Sequence, residues 1–433
     1  MSTEFNSTPW PIHLLGEVSE ITLGGTPSTD VADYWGGGIP WMTSGEVNKR
    51  HVFEVDERIT EIGLASSNAT LVEPPAVAIG LAGQGKTRGT AALVHIRVST
   101  NQSIALIKGK SQSLHTTYLF HNLDHRYEEL RSRSAGGGRA GLSREILQRV
   151  PIALPDPPEQ SRIAAVLDTV DEAIAKTEAV IAKLKQVRAG LLHDLLTRGL
   201  DENGQLRDPI AHPEQFQDSP IGRIPRGWDV KEIKDCYEVP SRNGIYKNAS
   251  FYGSGYRMVH MPQMFKGIVI DISDAMRVAV DPQELQRYAL KEGDLLFARR
   301  SLNLEGAGLC SMVQNLEEPV TFESSIVRVR VKKDWIIPGF ATEFLRSPYG
   351  YLLRRPFIRQ VAVSGVSSED IGHFVLPCPN SEEQERILAF LEPYDRMLRL
   401  FEFEMSKLSL LKSALMADLL TGRVRAPADL EFG

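Results

Sequence analysis

The chain contains a long internal repeat. Sliding the sequence by 224 positions places Gly141–Ile174 on Gly365–Leu398, and the register continues without a gap to Leu195–Thr197 and Leu419–Thr421. Over the 57 positions 141–197, 19 residues are identical in the two copies. Agreement of this extent in one unbroken register indicates a duplicated structural unit. The fold must therefore provide two equivalent places for this segment.

Each copy of the repeat predicts a long helix with one apolar seam. A walk of alternate four- and three-residue steps from Ile163 meets apolar residues at eight of ten positions, and the same walk from Ile387 meets them at nine of ten. This spacing is typical of a coiled coil. About 36 residues would form a rod of roughly 50 Å, and Pro393 predicts a kink or a short leading helix in the second copy. We expect the two seams to bury each other; homo-oligomerisation is the alternative.

A globular segment precedes each predicted helix. The two segments resemble each other in patches, Tyr34–Met42 with Phe251–Val259 and Val98–Ile107 with Val320–Val329, and both contain short strand patterns separated by Gly and Pro. We predict an α+β fold with two mixed, strand-rich domains, two long antiparallel coiled-coil helices and an internal pseudo-twofold repeat. The expected boundaries are 1–154 and 223–378 for the globular domains, 155–198 and 379–426 for the helices, and 199–222 for a linker.

The composition excludes several classes of protein. No run of 18 apolar residues predicts a membrane span, the N-terminus lacks the pattern of an export signal, and the three cysteines are far apart in sequence. These features predict a cytoplasmic protein without a disulfide framework or a metal site. A net charge of −6 argues against coating nucleic acid by bulk charge, although a local basic surface remains compatible with it.

The segment Gly80–Thr87 matches the phosphate-loop pattern G-x-x-x-x-G-K-[ST]. A phosphate loop needs a helix after it, whereas Arg88–Val98 carries a glycine followed by a strand pattern. The segment therefore predicts a β-hairpin with a polar, glycine-rich tip. A nucleotide-binding switch built on Gly80–Thr87 remains an alternative.

Four stretches resemble one known family. They are IPWMTSGEV (Ile39–Val47), AIGLAGQGKTRGT (Ala78–Thr90), the doubled EQxRI helix starts at Glu159 and Glu383, and SPIGRIPRGWDV (Ser219–Val230). Together they resemble the specificity subunits of type I restriction–modification systems over almost the whole chain. One departure is that the first domain begins near Trp10 without a clear copy of the IGRIPRGW lead-in.

The resemblance implies a non-catalytic DNA-recognition subunit. Two target-recognition domains would each read one half of a bipartite, asymmetric site on double-stranded DNA, and the helices would set the unread gap. Two methyltransferase subunits would dock on the assembly, and restriction/translocase subunits would join the full complex. S-adenosylmethionine, ATP and Mg are expected on those partners and no cofactor on this chain. A coiled-coil adaptor that binds only proteins is a further alternative.

DNA contacts require cations for phosphates and polar side chains for base edges. Candidates occur at the predicted hairpin tip and its counterpart, after the aligned Trp41-Met42 and Met258-Val259 strands, and in two arginine-rich segments whose alternative role is a solvated basic face. The residues are Thr43, Ser44, Gln84, Lys86, Thr87, Arg88, Arg131, Arg133, Arg139, His260, Gln263, Arg299, Arg300, Asn303, Arg354, Arg355 and Arg359.

Polar residues shared by the two helix copies lie off the predicted seam. They are candidates for docking the methyltransferase subunits, with helix caps and solvent-facing charges as the alternative. The residues are Glu159, Gln160, Arg162, Asp171 and Asp194, with their counterparts Glu383, Gln384, Arg386, Asp395 and Asp418.

Overall fold

The structure is a computed structural model that describes residues 8–83, 85–133, 141–360 and 364–427. The chain forms two compact units, residues 1–180 with 401–433 and residues 181–400. Each unit therefore contains one globular segment and parts of both long helices. No helix in these described ranges is long and apolar enough to cross a membrane.

The first unit contains a five-stranded sheet in the order β2-β9-β6-β7-β4, a three-stranded sheet in the order β5-β3-β8, and the antiparallel pair β1-β10. The strands are β1 (Ile12–Leu14), β2 (Ser19–Leu23), β3 (Trp35–Met42), β4 (His51–Val52), β5 (Glu57–Ile59), β6 (Ala76–Gly80), β7 (Ala91–Val94), β8 (Ser99–Thr100), β9 (Ile104–Gly109) and β10 (Pro151–Ala153). The helices are α1 (Leu15–Val18), α2 (Glu61–Ala65), α3 (Thr116–His125), α4 (Tyr127–Ser132), α5 (Arg144–Gln148) and the long α6 (Pro157–Arg198), of which residues 181–198 belong to the second unit.

The second unit contains a four-stranded sheet in the order β14-β21-β17-β19, three-stranded sheets β16-β15-β20 and β18-β23-β22, and the antiparallel pairs β11-β12 and β13-β24. The strands are β11 (Phe216–Ser219), β12 (Gly222–Pro225), β13 (Asp229–Glu232), β14 (Tyr237–Asn243), β15 (Tyr252–Val259), β16 (Arg277–Val278), β17 (Leu295–Ala298), β18 (Arg300–Ser301), β19 (Cys310–Met312), β20 (Val320–Phe322), β21 (Ile326–Val331), β22 (Arg359–Gln360), β23 (Ser364–Gly365) and β24 (Val375–Cys378). The helices are α7 (Met261–Met264), α8 (Pro282–Tyr288), α9 (Pro338–Arg346), α10 (Pro348–Arg354), α11 (Ser368–Gly372) and the long α12 (Ser381–Leu419), of which residues 401–419 belong to the first unit.

The two globular segments share one topology. In the main sheets, β2-β9-β6-β7 corresponds to β14-β21-β17-β19, with antiparallel pairing throughout. In the small sheets, β3 pairs antiparallel with β5 and parallel with β8, and β15 pairs antiparallel with β16 and parallel with β20. The pairs β1-β10 and β13-β24 also correspond, so the first domain starts like its twin although its lead-in sequence differs. The patchy alignment of the two halves is confirmed.

The seams of α6 and α12 are covered along their whole length. None of the ten positions of either four–three walk is exposed. In the first unit, Ile163 and Leu167 share a core with Leu419. In the second unit, Leu195 shares a core with Ile387. Because the start of each helix packs with the end of the other, their antiparallel pairing is established within each unit.

The expectation of a short leading helix that ends near Pro393 is wrong, because α12 is one element with Pro393 inside it; the alternative expectation, a kink at Pro393, stays a prediction. A proline inside a helix removes one backbone hydrogen bond and costs about 3 kcal/mol. Pro393 lies on the exposed side, where water can reach the carbonyl that loses its donor, while Ile387 and Leu391 on the other side are buried in the core of the second unit. Packing of the seam therefore keeps the helix continuous.

Candidate nucleic-acid interface

The predicted hairpin is formed by β6 and β7, which pair antiparallel from Ala76–Val94 to Ile79–Ala91. Its loop closes through a hydrogen bond that the Gly89 amide donates to the Gly80 carbonyl at 2.8 Å. Because a strand follows this loop, the helix N-terminus that a phosphate loop requires is missing from Arg88–Val94. The alternative of a nucleotide-binding switch is not supported.

The hairpin tip presents polar side chains and is supported from α4. Lys86 is exposed, Thr87 and Arg88 are half-buried, and Gln84 lies outside the described residues. On α4, the Arg131 guanidinium donates to the Gly85 carbonyl at 2.5 Å, and the Tyr127 hydroxyl donates to the Lys86 carbonyl at 3.2 Å. The structure thus gives Arg131 a supporting contact with the loop that carries Lys86.

The corresponding loop of the second unit connects β17 to β19 through β18. The Gly308 amide donates to the Ala298 carbonyl at 2.8 Å, as Gly89 does to Gly80 in the first unit. Both glycines have positive φ, +84° and +70°, and side chains are rarely accommodated there. Arg299 is half-buried, whereas Arg300 and Asn303 are exposed on this loop.

Arg354 supports this second loop in the way that Arg131 supports the first. Its guanidinium donates to the carbonyls of Glu305 at 3.0 Å and Leu345 at 2.5 Å. The side chain is only 3% exposed, and this burial lowers the pKa of Arg354. The 224-residue shift aligns Arg131 with Arg355. In the structure, however, Arg354 is the residue that contacts the loop as Arg131 does, so Arg354 is the structural counterpart of Arg131. Arg355 and Arg359 remain exposed, and Arg359 lies 3.4 Å from Asp370.

Arg133 and Arg139 are the other arginines proposed for the first unit. The Arg133 guanidinium forms an ion pair with Glu129 at 2.6 Å. Burial alone would raise the pKa of Glu129. Hydrogen bonds from Arg126 and Arg133 outweigh this effect and lower the pKa to about 2, so this carboxylate is charged near neutral pH. Arg133 therefore has a carboxylate partner in the chain, and Arg139 lies outside the described residues.

The candidates after β3 and β15 occupy one equivalent turn in each unit. The Thr43 amide donates to the Glu46 carboxylate at 2.8 Å, and the His260 amide donates to the Gln263 side chain at 3.1 Å. Glu46 and Gln263 are each 6% exposed. Thr43, Ser44 and His260 are half-buried. Gln263 is therefore a turn-forming side chain rather than part of the accessible surface.

The shared glutamines at the helix starts fasten each long helix to its globular segment. The Gln160 side chain accepts from the His115 amide at 2.8 Å and donates to the carbonyls of Ser113 and Pro155, both at 2.8 Å. Gln384 makes the same three contacts, accepting from Ile337 and donating to Trp335 and Pro379. Both side chains are fully buried, so they are used within the chain.

The glutamates that precede these two glutamines form ion pairs with arginines of the segments that follow the long helices. Glu383 pairs with Arg207 at 2.6 Å and accepts from the Leu200 amide at 2.9 Å, and Glu159 pairs with Arg425. Glu159 and Glu383 are 1% and 2% exposed. Sequence reasoning missed Arg207 and Arg425, because they lie outside the aligned repeat.

Two ion-pair clusters occupy the two charged positions of the seams. Arg188 contacts Asp395 and Glu343, each at 2.5 Å. Its counterpart in the repeat, Lys412, contacts Asp171 at 2.7 Å and Asp124 at 3.6 Å. Asp171 and Asp395 are thus charge partners of the opposite helix. The two basic residues that interrupt the apolar walks were the available sequence signal for these clusters.

The Lys412 cluster contains a second cation, Arg50, which contacts Asp171 at 2.7 Å and Asp124 at 2.9 Å. Burial alone would raise the pKa of Asp171, but the charges of Arg50 and Lys412 and their hydrogen bonds to the carboxylate lower this pKa below its ordinary value. Arg50 itself has φ of +61°, which is unusual for a residue with a side chain. Sequence reasoning gave no signal for Arg50.

The remaining docking candidates are more accessible. Asp194 and Asp418 have side chains 43% and 29% exposed, and Arg386 is 32% exposed. Arg162 is half-buried. Among the residues that the structure describes, no group of three or more His, Cys, Asp or Glu side chains could hold a metal ion.

Comparison with known proteins gives a consistent result. The family model "Type I restriction modification DNA specificity domain" matches residues 8–186 and 225–407. The MjaVIII specificity subunit of Methanocaldococcus jannaschii is 23% identical over 337 residues, covering 75% of this chain and 74% of its own. The EcoKI specificity subunit of Escherichia coli is 26% identical over 270 residues, covering 61% and 54%. A crystal structure of a type I S subunit from M. genitalium aligns over 96% of both chains with a TM-score of 0.58 and 13% identity, which supports the fold.

Proposed function

The chain belongs to the type I restriction–modification DNA specificity family, and from this premise we propose that each of its two units reads one half of a bipartite, asymmetric DNA site. Its function is DNA-sequence recognition within such a system, and specificity subunits of these systems are non-catalytic. The assignment of one half-site to each unit is the step that we add.

One observation carries the proposal. The two globular segments share the strand order of the main sheet and the position of one loop, yet the exposed side chains on those loops differ. Lys86 is at the tip in the first unit, and Arg300 and Asn303 are at the tip in the second. One scaffold with two different sets of polar side chains is suited to two different sequences of bases, because base edges are distinguished by donor and acceptor patterns.

Within this proposal the candidate residues take different roles. Exposed cations position the protein on phosphates without reading sequence, and residues at the loop tips contact base edges. We assign phosphate contacts to Arg355 and Arg359. We assign groove contacts to the two loop tips, which carry Gln84, Lys86, Thr87, Arg88, Arg299, Arg300 and Asn303.

Thr43, Ser44, His260, Arg131 and Arg133 stay as secondary candidates, and so does Arg139, which lies outside the described residues. Arg354 and Gln263 are left out because their side chains are buried and bonded within the chain.

The partners follow from the repeat. Modification and restriction subunits act with specificity subunits in these systems, and two equivalent helix surfaces suit two copies of the modification subunit. We place this docking at the accessible shared residues Arg162, Asp194, Arg386 and Asp418. The buried Glu159, Gln160, Glu383 and Gln384, with Asp171 and Asp395, would support that surface from within the chain. S-adenosylmethionine, ATP and Mg would bind the partners, and the lengths of α6 and α12 would determine the unread gap.

Selection from random-sequence DNA tests the proposal. The chain, assembled with the modification subunit of its own system, should enrich two short sequence blocks separated by unread positions. Lys86→Ala with Arg88→Ala should relax one block only, and Arg300→Ala with Asn303→Ala should relax only the other. Each lost base contact should cost about 1–3 kcal/mol of discrimination.

Leu352→Ala is the control, since Leu352 is exposed on α10 and belongs to neither loop tip. Enrichment of one contiguous block, or relaxation of both blocks by either pair, would contradict the assignment of one half-site to each unit.

A further inference from the structure

The second unit has an exposed apolar surface beside its loop tip. Leu302 is 95% exposed and Phe265 is 44% exposed. Both line one cavity of about 470 Å³, together with Met261, Pro262 and the loop residues 300–303. We call Met261, Pro262, Phe265 and Leu302 the apolar patch. An exposed apolar surface with polar neighbours is typical of a binding site.

Hydrogen bonds within the loop hold Leu302 at its tip. The strand β18, which precedes Leu302, pairs antiparallel with β23. The Asn303 side-chain oxygen accepts from the Gly306 amide at 3.0 Å and from the Ser301 hydroxyl at 2.9 Å. Because the residues on both sides of Leu302 are held in place, its side chain is presented to solvent on an ordered loop. Such a side chain loses little conformational freedom when it contacts a ligand.

The first unit has the same turn without the apolar side chains. The capping contacts of the turns after β3 and β15 put Glu46 in register with Gln263. The positions of Met261, Pro262 and Phe265 are then occupied by Ser44, Gly45 and Asn48. Burial follows the same order along both turns. The shared fold therefore does not require apolar residues at these positions.

The loop tips differ in the same way. The described part of the first tip, residues 85–88, consists of glycine, lysine, threonine and arginine, whereas Leu302 lies at the second tip. The apolar patch is thus a property of the second unit among the residues that the structure describes. A difference between two units that share one fold is suited to a difference in what they bind.

The position of the patch indicates its ligand. The exposed cation Arg300 lines the same cavity, and it belongs to the loop tip to which we assign groove contacts. The major-groove edges of the base pairs present one protruding apolar group, the C5 methyl of thymine. An amino or carbonyl group placed against the patch would lose water without gaining a hydrogen bond. Thymine therefore has the base edge that fits the patch.

We propose that the apolar patch reads the C5 methyl group of a thymine in the half-site of the second unit. Leu302 and Phe265 contact the methyl group, and Arg300 contacts a neighbouring base edge or phosphate. This inference rests on the proposed function, because it names one base feature that the second unit reads. Burial of one methyl group corresponds to roughly a fourfold gain in affinity.

Replacement of thymine by deoxyuridine tests the proposal, since deoxyuridine lacks only the methyl group. The second-unit block is the one that Arg300→Ala with Asn303→Ala relaxes in the selection described above. Replacing the thymines of this block one at a time should weaken binding of the wild-type complex roughly fourfold at one or more positions. The complex with Leu302→Ser should bind the thymine and deoxyuridine duplexes equally well.

Two further variants complete the test. Ile210→Ser is the matched control, since Ile210 is 91% exposed between α6 and β11 and lies outside the apolar patch. It should retain the full effect of methyl removal. Met261→Ser with Phe265→Asn installs the residues of the first unit, where Asn48 donates to the Gly45 carbonyl at 2.9 Å within the turn. This double variant should reduce the methyl effect without unfolding the turn.

Three outcomes would overturn this proposal and leave the proposed function intact, because two separate blocks would still be selected. They are a second-unit block of G·C pairs only, unchanged binding after every thymine replacement in that block, and a methyl effect that persists in Leu302→Ser. Failure to select two blocks would instead contradict the proposed function itself. If Leu302→Ser prevents assembly with the modification subunit, the patch belongs to that partner and the proposal is wrong.

Discussion

Adjacent arginines in the second unit have opposite environments. Arg354 is buried, with its guanidinium hydrogen-bonded to two backbone carbonyls, and Arg355 is exposed. A buried cation that satisfies carbonyls contributes to stability, whereas an exposed cation is free to contact phosphate. Residue type and sequence position alone do not separate these two roles.

A pair of substitutions distinguishes them. Arg354→Met should destabilise the chain by about 2 kcal/mol, because hydrogen bonds from a charged group are lost in a buried place. Arg355→Met should change stability by less than about 0.5 kcal/mol, weaken DNA binding evenly across sequences and reduce the salt dependence by about one phosphate contact. Urea denaturation and DNA titration of the assembled complex at several salt concentrations measure both. The assignment fails if Arg354→Met leaves the urea midpoint unchanged.

At the scale of elements, the long helices are specified by their apolar seams and by the polar positions that interrupt them. Arg188 lies in the seam of α6 and Lys412 in that of α12, at equivalent positions of the repeat. Each contacts an acidic residue of the opposite helix and one of the globular segment. A charge in a seam costs stability unless it is paired, so these positions favour one register of the two helices.

The two clusters should respond unequally to loss of their cation. Arg188→Met leaves Glu343 and Asp395 without a cation among the described ion pairs. Because burial already raises the pKa of Glu343, the charged carboxylate is costly to leave unpaired, and we expect the free energy of unfolding to fall by about 3–5 kcal/mol. Lys412→Met should cost less, because Arg50 still contacts both Asp124 and Asp171.

Urea denaturation checks both, with Lys183→Met on the exposed face of α6 as the control. If Arg188→Met costs no more than that control, the cluster does not stabilise the helix pair.

At the scale of the whole molecule, duplication and divergence affect different parts of the chain. The helix starts keep the same side-chain contacts in both units, down to three hydrogen bonds from each shared glutamine. The loops keep their position and change their exposed residues. This division is consistent with a constant assembly surface and two variable recognition surfaces.

An exchange of one globular segment tests this division. Replacing residues 19–149 with the equivalent segment of another family member should change one half of the selected DNA site and leave the other half and the gap unchanged. These limits retain β1 and β10, which pair with each other, and the hydrogen bond that the Leu15 amide donates to the Val150 carbonyl. Selection from random-sequence DNA provides the measurement. A change in both halves would contradict modular reading.

The amino-acid sequence determined the features that depend on local periodicity and on the duplicated register. The helix seams and the β-hairpin in place of a phosphate loop follow from patterns within a few tens of residues. The equivalence of the two globular segments follows from short stretches that match between the two halves of the chain. Only tertiary structure decided which charged side chains are buried and which are accessible. Arg50 and Asp171 are 121 residues apart, and Arg188 and Glu343 are 155 apart. Such pairs form because folding brings distant segments together, and no local pattern encodes them.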